Sequence, residues 1–188
     1  MANHAIRNIL YVFLASPSDL AEERRLARDV VDELNRVCAR RLKWSIELLG
    51  WEDTLPGFVR PQEKINADVR LCRLFIGMLW RRWGQPTGKY SSGFEEEFEL
   101  AKRLRSEAQA PEIWLYFRRI EPAQGEDPGP QLEKVLEFKR NIEMSKECLF
   151  GEFADPEEWR KKLHDNLLQY LMDLALSALG AHSGHRER

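Results

Sequence analysis

The sequence predicts a doubly wound α/β domain, a five-stranded parallel sheet with helices on both faces. Three observations predict it. Near-continuous apolar runs of strand length recur along the chain, as expected of strands buried on both faces. An amphipathic helix-length segment follows each run. Cap and turn residues separate the two kinds of segment. The resulting order, strand and helix five times over, requires crossovers that place helices on both sides of the sheet.

The first strand is expected at 8–15, where Ile9, Leu10, Tyr11, Val12, Phe13 and Leu14 run together. Ser16-Pro17-Ser18-Asp19 then reads as a helix start, with Ser16 as cap, Pro17 in the first helical position and Asp19 as the acid of a capping box. The helix that follows extends to about residue 41, with an apolar stripe of Leu20, Ala27, Val30, Val31, Leu34, Val37 and Cys38. The second strand is read at 44–51, followed by a loop with Pro56, Gly57 and Pro61 and a helix at 61–70. The third strand, 74–80, is again continuous and apolar. A long Gly/Pro/Thr/Ser loop at 81–92 leads to a helix at 93–106. A fourth strand at 113–120, a polar loop at 121–130, a helix at 131–144 and a short strand at 148–153 follow. The last helix is read at 157–179, and 180–188 as a disordered tail.

Composition bounds the function classes. With 188 residues, 43% apolar and 32% charged, the chain fits one globular domain with a real core. A net charge of -2 gives no basic surplus for a broad nucleic-acid face. Cys38, Cys72 and Cys148 are widely spaced and each sits in an apolar run, which reads as three buried thiols rather than a disulfide framework. No residues have zinc spacing, so no metal is expected. No apolar run reaches the length of a membrane span. The start, Met1-Ala2-Asn3-His4, has no basic region followed by a long apolar run, so the cytoplasm is the expected compartment. Neither G-x-G-x-x-G nor a P-loop occurs, which argues against a Rossmann dehydrogenase or a P-loop NTPase.

Ligands of open α/β sheets bind beyond the carboxyl ends of the strands. The candidate rim is therefore 16–19, 51–60 and 80–92, and within it Arg81, Arg82, Trp83 and Ser92 are substrate-binding candidates on residue type. Ser92 also suits a helix cap, and Trp83 suits either base stacking or cover for the sheet edge. The helix at 93–106 opens with four glutamates, Glu95, Glu96, Glu97 and Glu99. At about 100° per residue, Glu97 falls on the stripe of Phe94, Phe98, Ala101 and Leu104, while the other three point away and read as a solvated face. A carboxylate on an apolar face is costly unless it is paired or used. Arg81, Arg82 and Lys102 are the expected ion-pair partners if its role is structural.

Val12-Phe13-Leu14-Ala15-Ser16-Pro17-Ser18-Asp19-Leu20, the run from Leu74 to Trp80, Arg82-Trp83-Gly84 and Ser92-Gly93-Phe94-Glu95-Glu96-Glu97-Phe98-Glu99-Leu100-Ala101 resemble a TIR-like family of unknown function. That family precedes NACHT- and STAND-type ATPase modules in bacteria, and the resemblance covers about 8–175. It implies a flavodoxin-like sheet shared with TIR domains and nucleoside 2-deoxyribosyltransferases. It also implies a glutamate acting on an N-glycosidic bond, and the Gly93, Glu97, Ala101 spacing selects Glu97 for that role. By the same likeness Ser16 and Asp19 edge the pocket, and Trp51, Glu52 and Asp53 open a loop equivalent to the TIR BB loop. Phe94-Glu95 stand where TIR domains carry an aromatic-Cys pair. The implied function is cleavage of NAD or a related nucleotide as a substrate, in antiviral defence, by a homo-oligomer or with an ATPase partner. A non-catalytic interaction module, a nucleotide sensor and a deoxyribosyltransferase-like enzyme are the alternatives.

Overall fold

A computed structural model describes residues 8–50 and 61–183. Five strands, β1 (Asn8–Ala15), β2 (Trp44–Leu49), β3 (Leu74–Leu79), β4 (Glu112–Arg118) and β5 (Phe150–Phe153), pair in parallel in the order β2-β1-β3-β4-β5. The helices are α1 (Ala21–Leu42), α2 (Pro61–Leu71), α3 (Gly93–Ala108), α4 (Pro122–Glu126), α5 (Pro130–Ser145) and α6 (Pro156–Ser183). This is the doubly wound, flavodoxin-like arrangement expected from the alternating segments. No helix among the described residues is long and apolar enough to cross a membrane.

Successive side chains of a strand point to opposite faces, and the continuous apolar runs serve both. Leu10, Val12 and Leu14 of β1 join Leu74, Ile76 and Met78 of β3 in a core beneath α1 and α6. Phe13 and Ala15 join Phe75 and Leu79 in a second core beneath α2, α3 and α5. Trp159 of α6 is fully buried, packs against Tyr116 and Phe153, and its indole N–H donates to the Glu23 carbonyl at 3.0 Å.

Gly77, in the middle of β3, is a strand position where a side chain has no room. A Cβ there would lie 2.8 Å from Leu115 Cδ2 and 3.1 Å from the Phe94 ring. The missing side chain lets Phe94 seat against the sheet and so fixes the start of α3. Gly77→Ala is expected to lower stability by roughly 1–2 kcal/mol, because overpacking outweighs the small gain from losing a flexible glycine. A shift in the urea midpoint checks it.

Several local expectations are corrected. Ser16 does not cap α1. A single 3-10 turn, Ser18–Leu20, precedes the helix, whose first residue is Ala21. Residues 121–130 are not wholly loop, because Glu121 and Gln124 form a reciprocal capping box that starts α4. Cys38 and Cys72 are buried thiols, but Cys148 is only half-buried. Helix α6 continues to Ser183 rather than ending at residue 179.

Candidate functional site

The strand order reverses between β1 and β3, so the connections leaving these two strands diverge and open a crevice at their carboxyl ends. A cleft of ≈ 490 Å³ occupies this point. It is lined by Ser16, Pro17 and Ser18 after β1, by Arg82 to Thr87 after β3, and by Gln62, Ile65, Gly93, Phe94, Glu97 and Gln131 from the helices.

The start of α3 is held from both sides. Ser92 caps the helix, its Oγ accepting from the Glu95 N–H at 3.0 Å. The Glu95 carboxylate does not return to Ser92 but accepts from the N–H and hydroxyl of Ser91, at 2.7 and 2.6 Å. Below the cap, Phe94 packs edge-on to Trp83 and stacks on Phe98. This locks the first turn and sets Glu97 at the cleft.

Glu97 is 6% exposed, as its place on the apolar stripe predicts. Among the described residues its carboxylate accepts one hydrogen bond, from Gln62 Nε2 to Oε1 at 3.2 Å. Burial pushes its pKa up to about 8, against the lowering effect of the Gln62 donor, and the neighbouring Glu96 charge pushes further in the same upward direction. The anticipated ion pair is not formed. Arg82 donates to Ser18 Oγ at 3.1 Å, Arg81 stacks on Trp80 at 3.6 Å, and Lys102 pairs with Glu147.

The fold thus gathers four of the candidates, Ser16, Arg82, Trp83 and Glu97, around one cleft. Ser16 Oγ accepts from Arg24 Nη1 at 3.0 Å, and the same nitrogen donates to the Pro17 carbonyl at 2.7 Å. Trp83 is buried, packed on Phe94 and Phe138, with its indole N–H donating to Ser91 Oγ at 2.7 Å, so it forms a wall more than an open stacking face. Asp19 makes no capping box. Its Oδ2 accepts from the backbone N–H groups of Arg81 and Arg82, both at 3.0 Å, which straps the β1 loop to the β3 loop. Arg81 and Ser92 do not line the cleft, and Ser92 is fully buried as a cap. Trp51, Glu52 and Asp53 lie outside the described residues, as does the rest of 51–60.

The sequence reading missed Gln62, Asn66, Thr87, Glu96 and Gln131. Glu96, read as solvated, is 5% exposed and accepts from Asn66 Nδ2 at 3.0 Å and Thr87 Oγ1 at 2.5 Å. Gln131 Oε1 accepts from the N–H groups of Trp83 and Gly84 at 2.9 and 3.0 Å, shaping the loop from the α5 side. The available signal was the Gln62/Asn66 pair, two amides one helical turn apart. Among the described residues no three acid, cysteine or histidine side chains gather in an arrangement that could hold a metal. Among the described residues the cleft offers one protonatable carboxylate in Glu97, one fixed cation in Arg82, and amide and hydroxyl groups. This set suits a polar ligand that has an anionic group and a sugar.

A family model described as a domain of unknown function (DUF4062) matches residues 11–168. No curated protein matches the chain.

Proposed function

The chain belongs to the DUF4062 family, a domain of unknown function, and on that premise we propose that it cleaves the N-glycosidic bond of NAD or a related nucleotide. The observation that supports this reading is the Glu97 carboxylate, buried at the switch-point cleft with one amide donor among the described residues. Breaking the bond between nicotinamide and ribose sends its electron pair to the ring nitrogen and leaves an oxocarbenium-like sugar. A carboxylate beside that carbon stabilises the developing charge or orients a ribose hydroxyl. Water then adds its oxygen to the sugar carbon and gives up a proton to solvent. Arg82 also lines the cleft and supplies a guanidinium suited to a phosphate. NAD is substrate here, not cofactor. We read the domain as a TIR-like effector in bacterial antiviral defence, acting in the cytoplasm as a homo-oligomer or beside a STAND-type ATPase.

The test is to incubate concentrated protein with NAD and, separately, with nucleosides, and to follow the released base. Wild type is expected to release nicotinamide and a folded Glu97→Ala variant none. An unchanged rate in the variant overturns the assignment. One observation favours a second reading, a non-catalytic interaction module. Met172, Leu176 and Leu179 along α6 are 44%, 64% and 67% exposed. Absence of base release at any protein concentration selects that reading.

A further inference from the structure

Two glutamates adjacent in sequence are buried at the start of α3, and Glu97 alone of the pair lines the cleft. They are joined through α2. Gln62 Nε2 donates to Glu97 Oε1 at 3.2 Å and lies 3.5 Å from Asn66 Oδ1. Asn66 Nδ2 donates to Glu96 Oε1 at 3.0 Å, and Thr87 Oγ1 donates to Glu96 Oε2 at 2.5 Å. The ladder therefore runs from the cleft carboxylate to the 81–92 loop without a break. Residues four apart on a helix stand side by side, so α2 presents both amides to α3 together. An amide donates at one end and accepts at the other, which allows it to link two carboxylates. Gly93 leaves room for the first rung: a Cβ there would lie 3.3 Å from Gln62 Oε1 and 3.8 Å from Glu97 Oε1. Two donors converge on Glu96, an arrangement suited to an acceptor-only carboxylate.

We propose that Gln62, Asn66, Glu96 and Thr87 are positioning residues, Glu96 being the buried anchor that ties the 81–92 loop to the helix carrying Glu97, the one carboxylate of the pair available to a ligand. This rests on the reading of Glu97 as the working group. The charge on Glu96 then acts on Glu97 directly. Among the described residues Arg82 is the other charged residue lining the cleft. On α2, Lys64 and Asp68 each sit two residues beyond an amide of the ladder, about 200° round the helix from it.

The experiment is a carboxyl-carbon NMR titration of the whole chain, which needs no substrate. Glu96→Gln is expected to move the Glu97 midpoint down, because a like charge is gone. Gln62→Met is expected to move it up, because a donor to the anion is gone. Glu95→Gln, which bears on the Ser91 contact instead, is expected to leave it in place. The backbone N–H groups of Thr87 and Tyr90 close a turn within the loop, donating to the Tyr90 carbonyl and to Thr87 Oγ1. Their hydrogen exchange in Glu96→Ala is expected to speed up about tenfold or more, the worth of one charge-assisted hydrogen bond. A Glu97 midpoint that is the same in Glu96→Gln as in Glu95→Gln overturns the proposal, as does unchanged loop exchange in Glu96→Ala. Should Glu96→Ala fail to fold, Glu96→Gln and Gln62→Met still decide it. Shifted midpoints without base release sink the proposed activity and leave the ladder standing.

Discussion

Glu97→Gln is expected to lose base release and, in the same molecule, to become more stable than wild type at alkaline pH. The sign follows from where the proton sits. The Glu97 pKa is raised from an ordinary 4.5 to about 8 in the folded protein, chiefly by burial. Below the lower value both states hold the proton and nothing is lost. Between the two values the folded chain keeps a proton that the unfolded chain releases, so each step up in pH destabilises the fold. Above the higher value the full penalty applies. Each unit is worth about 1.4 kcal/mol, so the penalty is on the order of a few kcal/mol. Glutamine has the same shape, still accepts from Gln62, and carries no charge to desolvate. Urea midpoints at acid and alkaline pH are expected to diverge in favour of the variant; parallel curves would refute the assignment.

The rate has a sign as well. Nicotinamide in NAD is a cationic leaving group that needs no proton, so an ionised Glu97 is the useful form and kcat/KM is expected to rise with pH through about 8. A neutral purine nucleoside needs its base protonated, so protonated Glu97 is the useful form and kcat/KM is expected to fall through the same value. The slope therefore identifies the substrate class. Loss in Glu97→Gln is expected on the order of 10²–10³-fold for NAD, from lost charge stabilisation, and about 10²–10⁴-fold for a neutral nucleoside, from a lost proton donor.

Trp159→Ala is expected to be the most damaging single core change. The side chain is fully buried, meets Tyr116 at 5.0 Å and Phe153 at 5.3 Å between ring centroids, and donates to the Glu23 carbonyl. Truncation removes that packing, leaves a cavity and orphans an acceptor, about 3–5 kcal/mol in all. Against a typical total of roughly 5–15 kcal/mol, that is a large share of the stability. Trp159→Phe keeps a ring and loses the donor, and its loss is expected to be less than half as large. Denaturant titration of both variants checks the ranking.

The sheet was legible because its strands are buried on both faces, and Leu10 to Leu14 and Leu74 to Leu79 state that in one unbroken run each. Glu97 was legible because Phe94, Phe98 and Ala101 define the buried stripe of its own helix. Glu96 was not. A helical wheel assumes one covered face, whereas α3 packs against the sheet and against α2, and the donors that bury Glu96 come from Asn66 and Thr87. Ser16 and Asp19 have the residue types of a cap. Tertiary partners claim them instead: the Arg24 guanidinium and the backbone amides of Arg81 and Arg82. Local chemistry foresaw polar groups at these positions, and only the closed fold decides whom they serve.

Helices α1 and α6 share one face of the sheet, and the hydrogen bond from Trp159 to Glu23 spans 136 residues. This sets an order of events during synthesis. The second helical element to cover that face follows β5 in the chain, so the part of the core that α1 shares with α6 stays open until residues 156–183 have emerged. Contacts of such long sequence separation slow folding, and a chain stalled before residue 159 exposes a greasy half-core. Chaperone occupancy of nascent chains is therefore expected to persist until α6 has appeared and then to fall away.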